Sequence, residues 1–240
     1  MQARRGLKAV RLIKEADVIV YDDLGTQDAL GFASEACERV YVGKRGGRAS
    51  SIKQAEINKL LVDACTQAPG RTVVRLKGGD PGVFARMSSE AAALSAAGVQ
   101  YEMVPGVSSA LAAPLLAGVP LTDVQLGFSF AVVSGHDVPG TDWSAFSRVP
   151  TLVVLMAGKG LPGIVDALLA AGGRDRDTPV LLVRSAGLPE QRVWASMLGD
   201  ILRDTQGEQL SPCVLTVGAV AQLPEVWGGL AAQAAGSDPL

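Results

Sequence analysis

The chain has 240 residues, 48% of them hydrophobic and 19% charged, which is enough apolar material for one large or two small domains and excludes a disordered chain. With 22 basic and 24 acidic residues the formal charge is −2, so no global basic field exists to hold a nucleic-acid backbone. A lone histidine rules out a site built from several, three scattered cysteines argue against a zinc cluster or disulfide framework, and 5% aromatic residues argue against a base-stacking surface.

The amino end, MQARRGLKAVRLIKEAD, is too charged for a secretory signal, and its basic character faintly resembles the start of an organelle transit peptide. The spacing predicts an amphipathic helix with Leu7, Val10 and Ile13 facing inward. No run approaches about 18 consecutive apolar residues, so no membrane-spanning helix is expected. Short runs rich in valine and isoleucine then recur: Asp17–Tyr21, Arg39–Val42, Thr72–Leu76 and Tyr101–Val104, followed by Phe128–Ser134, Thr151–Met156, Pro179–Val183 and Cys213–Val217. They predict strands buried on both faces, as parallel strands are. Helices are expected between them. A capping box at Ser51–Gln54 precedes Ile57, Leu60, Leu61 and Ala64 at helical spacing, residues 88–97 and 107–117 are alanine-rich, and Gly160–Ala171 and 198–206 give weaker patterns. Alternating strands and helices make an α/β protein. The stretch Val119–Gly127 separates two sets of strands, which gives an N-terminal domain over 1–121, a C-terminal domain over 126–227 and a disordered tail over 228–240. Clefts between such domains are where small ligands usually sit. The chain opens on a helix where an α/β domain more often opens on a strand and turn. Either the domain does without them or the true start is missing.

Several stretches could carry chemistry. In VVRLKGGDPGVF, a strand feeds a Gly78-Gly79-Asp80-Pro81 turn. It is either a ligand loop, with glycines allowing close backbone approach and Asp80 accepting from hydroxyl or amino groups, or a plain strand-to-helix turn. The spacing is neither that of a P-loop nor of GxGxxG. Asp22 directly follows a strand, where a carboxylate can act as a general base or cap the next turn. Lys44, Arg45 and Arg48 make a positive loop suited to a small polyanion, or a solvated surface. Ser108 and Ser109 open a helix whose N–H groups can bind a carboxylate or simply be capped. Met156 ends a strand and packs either on a ligand or in the core, and His136 reads as a turn residue. No GxSxG or HExxH motif is present.

The order and spacing of these segments carry more than any one alone. ADVIVYDDL, VYVGKR, VVRLKGGDP, VPGVSSALAAPLLAGVPLT, VVSGHD, TLVVLM, QRV and SPCVLTVG, from about Gly6 to Val220, resemble the tetrapyrrole methylase superfamily, and within it the branch that C-methylates uroporphyrinogen III. The resemblance implies two small α/β domains with S-adenosylmethionine folded up in the cleft between them. It also implies a homodimer, methylation of uroporphyrinogen III at two ring carbons to give precorrin-2, and no metal. By the same resemblance, the cofactor loop falls on Gly78, Gly79, Asp80 and Val83, with Ser108, Ser109, Met156, Ala186 and Cys213 as further cofactor contacts. Asp22 falls on the proton acceptor and Lys44 on the proton donor, with Arg45 and Arg48 placed to meet the substrate's carboxylates. Neither nucleic acid nor membrane is an expected partner, and the cytoplasm is the expected compartment, with a plastid as the alternative.

The departures are specific. The family's opening strand and GxGPGD loop are absent here, and its YDR is Tyr21-Asp22-Asp23. GRGGEE is replaced by Ala85-Arg86-Met87-Ser88-Ser89-Glu90, PLTHR by PLTDV, and Glu-Asn-Gly-Thr by Arg184-Ser185-Ala186-Gly187. They leave open a sister branch acting on a later corrin intermediate or another substrate, and an inactive paralogue that only dimerises or binds ligand.

Overall fold

The computed structural model describes residues 2–22, 26–43, 52–67 and 70–222. The chain divides into two compact units, Met1–Ser108 and Ser109–Leu240. Among the described residues no helix is long and apolar enough to cross a membrane.

The first unit runs α1 (Gln2–Lys14), β1 (Val18–Tyr21), α2 (Gln27–Leu30), β2 (Glu38–Tyr41), α3 (Gln54–Thr66), β3 (Val73–Leu76) and α4 (Met87–Ala96). Its sheet has the order β2-β1-β3 and both pairings are parallel. Strand β1 is central and has no polar face. Ile19 packs with Ile13, Ala16, Leu30 and Cys37 on one side, while Val18 and Val20 pack with Val42, Ile57 and Leu61 on the other. Burial on both faces is what an unbroken Val-Ile-Val run is suited to. Helix α3 covers the second face through Ile57 and Leu61, and Leu60, expected to join them, lies exposed. The cap expected at Ser51 lies outside the described residues. The observed N-cap is Lys53, whose backbone N–H is accepted by Glu56 Oε2 at 3.1 Å, the reach-back half of a capping box.

Two further expectations fail in this unit. Leu7 is 68% exposed, so α1 anchors through its carboxyl end, with Ile13 and Ala16 buried. Residues 101–104 form no strand, and Tyr101 and Met103 are exposed. Local β-propensity is present in that run, but a strand exists only where a partner ladder accepts it.

The second unit runs α5 (Ser109–Leu116), β4 (Phe130–Ser134), a 3-10 turn at Trp143–Phe146, β5 (Thr151–Leu155), α6 (Leu161–Ala170), β6 (Pro179–Arg184), β7 (Arg192–Met197), α7 (Ile201–Asp204), β8 (Cys213–Val217) and a second 3-10 turn, Ala219–Gln222. The helix expected over 107–117 is thus shorter. It belongs with this unit, packing on β5, β6 and β8, although its position in the chain predicted the first domain. The helix expected over 198–206 is the single turn α7. The sheet order is β4-β5-β8-β6-β7. Only β4 and β5 are parallel; β8 runs antiparallel to both β5 and β6, and β6 antiparallel to β7, so the expected parallel sheet is mixed. One face packs Leu152, Val154, Val180, Leu182, Leu215 and Val217 against the α6 stripe Leu161, Ile164, Val165 and Leu168. Strand β7 lies outside the strands expected from the sequence. Its signal is Val193-Trp194 shortly after a Gly187-Leu188-Pro189 turn, the pattern of a hairpin return.

Candidate active site

Parallel strands bring their carboxyl ends to one edge of a sheet. In the first unit the register Tyr21↔Leu76 sets Asp22 beside Lys77, one residue before the Gly78-Gly79-Asp80 loop. That loop is clamped. Asp80 Oδ1 accepts the Gly82 N–H at 2.8 Å, and Oδ2 accepts the Gly106 N–H at 3.0 Å. The second bond ties the loop after β3 to the segment that ends at Ser108. Gly79 takes φ +77°, a left-handed conformation costly for any side-chain-bearing residue. A Cβ on Gly106 would overlap the Gly79 carbonyl oxygen and fall 3.0 Å from its carbon. Glycine at 106 is therefore what lets two backbones touch. Ser108, at the end of the tied segment, is buried.

Asp22 belongs to a ring of four charges. Arg75 Nη2 donates to Asp22 Oδ1 and Oδ2 at 2.7 and 2.8 Å, and Arg75 Nε donates to Glu90 Oε1 at 3.2 Å. Lys77 Nζ donates to Glu90 Oε1 and Oε2 at 3.0 and 3.1 Å and lies 3.8 Å from Asp22 Oδ2. Arg75, in β3, and Lys77, directly after it, stand two residues apart along an extended chain and so point to the same side. Glu90 reaches them from the first turn of α4. The ring is neutral, as a buried ion group must nearly be. The Asp22 backbone carbonyl accepts from the buried Thr26 hydroxyl.

In the second unit the antiparallel course of β8 places its first residue, Cys213, at the same edge as the ends of β5 and β6, paired with Arg184. Met156, directly after β5, is 46% exposed at φ +58°, and Ser185, directly after β6, is buried at φ +50°. Phe84 and Arg86, in the loop after β3, also have positive φ. Met156 and Ser185 directly follow strand ends, while Phe84 and Arg86 close the loop that leads from β3 into α4, with Arg86 as the helix N-cap. Strained backbone of this sort concentrates at ligand and catalytic sites. The Ser185 N–H is held by the Pro212 carbonyl at 3.0 Å, fixing the Ala186 turn against the start of β8. Cys213 itself lies in the core, and burial pushes its thiol up to about 12, so it offers the edge no thiolate.

The structure thus joins Gly78, Gly79, Asp80 and Val83 with Ser108 in the first unit and gathers Met156, Ala186 and Cys213 at one sheet edge in the second, where Ser109 opens α5. Lys44, Arg45 and Arg48 lie outside the described residues, as does the expected tail over 228–240. Arg75, Lys77, Glu90 and Gly106 were not singled out from the sequence. A signal existed for Arg75, since a charged residue inside an apolar strand is rarely buried without a partner.

Residues 6–202 match the model of the Tetrapyrrole (Corrin/Porphyrin) Methylases. The uroporphyrinogen-III C-methyltransferase of Synechococcus elongatus is 43% identical over 221 residues, covering 92% of this chain and 89% of that one. The protein of that name from Methanocaldococcus jannaschii is 40% identical, covering 90% of each chain. Among solved structures, the uroporphyrin-III C-methyl transferase of Thermus thermophilus, complexed with S-adenyl homocysteine, is 41% identical with a TM-score of 0.77, covering 90% of this chain and 92% of that one.

Proposed function

The chain belongs to the tetrapyrrole methylase family, and from that premise we propose that it methylates uroporphyrinogen III at two ring carbons, giving precorrin-2 for sirohaem and cobalamin synthesis, with S-adenosylmethionine as donor. Relatives that carry this activity in their names support the substrate. The observation that supports the reading is the β1–β3 register, which sets the Asp22 carboxylate beside Lys77, the residue before the clamped glycine loop.

The chemistry of the residues fits the donor. Its polar groups need backbone and hydroxyl partners at close range. Gly78, Gly79, Asp80 and Val83 with Ser108 offer these in the first unit, and Ser109, Met156, Ala186 and Cys213 are the corresponding residues in the second. Bound S-adenosylmethionine supplies a methyl group on a positively charged sulfur, which needs alignment with a pyrrole carbon rather than further activation. Asp22 takes up a proton as the methylated macrocycle rearranges. Lys44 supplies one, and Arg45 and Arg48 pair with the substrate's carboxylates. The family resemblance supports a homodimer acting in the cytoplasm.

Anaerobic incubation with S-adenosylmethionine and uroporphyrinogen III, followed by mass spectrometry of the tetrapyrrole, is expected to show a gain of two methyl groups. Recovery of unmethylated substrate from protein that binds the donor would overturn the substrate assignment. Asp80→Ala is expected to weaken donor binding about tenfold, because the loop loses its tie to Gly106, and to lower stability by about 1 kcal/mol per lost hydrogen bond. Titration calorimetry reads the first effect and thermal unfolding the second. An unchanged dissociation constant would remove the loop from the donor site.

A further inference from the structure

We infer that Glu90 is a positioning residue for Asp22, acting through Arg75 and Lys77; the inference rests on the reading of Asp22 as proton acceptor. Arg75 has five N–H donors and all of them are used. Nε goes to Glu90, Nη1 to the Val20 and Leu76 carbonyls at 3.3 and 3.0 Å, and Nη2 to both Asp22 oxygens. The guanidinium is held in plane and in place, and its hold on Asp22 is correspondingly fixed.

Glu90 does a second thing. Its carboxylate takes Lys77 on both oxygens, and Gln54 Nε2 also donates to Oε1 at 3.4 Å. The next carboxylate within reach of Lys77 is Asp22, at 3.8 Å. A carboxylate has about four lone-pair positions, and Arg75 occupies two on Asp22. Glu90 therefore draws the ammonium away from Asp22 and leaves both remaining lone-pair positions of Asp22 open to a proton. The burial order agrees. The Glu90 and Lys77 side chains are 6% and 8% exposed and Arg75 13%, while Asp22, at 30%, is where the ring meets solvent.

The test is a double-mutant cycle on the full chain, with kcat, the KM for S-adenosylmethionine and thermal unfolding read for each protein. Glu90→Gln preserves shape and removes the charge. It is expected to lower kcat about tenfold with KM unchanged, since misplacement of a reacting group acts on turnover. In an Asp22→Asn background the same change is expected to lower kcat no further, because the group it positions is gone. An equal fold-loss in both backgrounds, or no loss in either, overturns the inference and leaves Asp22 as proton acceptor. Unchanged kcat in Asp22→Asn alone overturns the reading of Asp22 and this inference with it. If Glu90→Gln does not fold, Arg75→Lys, which keeps the charge and loses the fork, goes through the same cycle with the same expected outcomes.

Discussion

Asp22→Asn is expected to lower turnover by about 100- to 10,000-fold, the range a positioned acid or base contributes, while leaving S-adenosylmethionine affinity within about twofold of wild type. The substitution is nearly isosteric. An amide oxygen still accepts from Arg75, and the Thr26 hydroxyl still holds the backbone carbonyl, so the end of β1 keeps its place. What disappears is a carboxylate lone pair able to take up a proton. The donor loop is tied by bonds from the Gly82 and Gly106 N–H groups to Asp80, neither of which involves Asp22, so the two effects separate. Single-turnover methylation under anaerobic conditions and calorimetric donor binding, measured side by side, decide the matter. A parallel fall in affinity and turnover would make Asp22 a structural residue of the loop edge. Equal turnover in the two proteins would remove it from the mechanism.

The second large effect is expected from Gly106→Ala. One methyl group would overlap the Gly79 carbonyl oxygen and crowd the Asp80 Cα at 3.4 Å, and these are backbone atoms that no rotamer change can clear. The two segments must part, and parting lengthens the 3.0 Å bond from Gly106 N–H to Asp80. Overpacking of this kind costs about 1–3 kcal/mol, and the loss of the bond adds to it. A functional effect is expected alongside the effect on stability. Parting the segments breaks the same tie that Asp80→Ala removes, so donor affinity should fall by about tenfold or more. Gly98→Ala serves as a control for handling a glycine near this segment, because nothing lies within 4 Å of its Cβ position, although its φ of +70° carries strain of its own. Donor affinity that falls equally in both proteins would point to general loosening of the unit rather than to the contact of Gly106 with Gly79.

Most strands were legible in the sequence because burial on both faces writes itself locally. Val18-Ile19-Val20, Leu152-Val153-Val154 and Val180-Leu181-Leu182 are apolar at every position, and each is fully enclosed by packing on either side of its sheet. The loop after β3 was legible for a similar reason. Gly-Gly-Asp-Pro behind a valine run describes a turn with an exposed backbone and one carboxylate, whatever the loop then binds.

The amino-acid sequence alone reveals which segments are buried, where the chain must turn, and which charged residues stand at strand ends. These follow from side-chain polarity and backbone freedom, properties that each residue carries with it. Pairing was decided only by the tertiary structure. The direction of β8, the lack of a strand at 101–104, the exposure of Leu7 and the contact of Gly106 with Gly79 each depend on a partner distant in the chain. The ring of Asp22, Arg75, Lys77 and Glu90 belongs with them. Strands β1 and β3 and helix α4 contribute to it separately, and a carboxylate's partner is chosen by the Coulomb attraction available once the sheet has formed, at distances that no local pattern encodes.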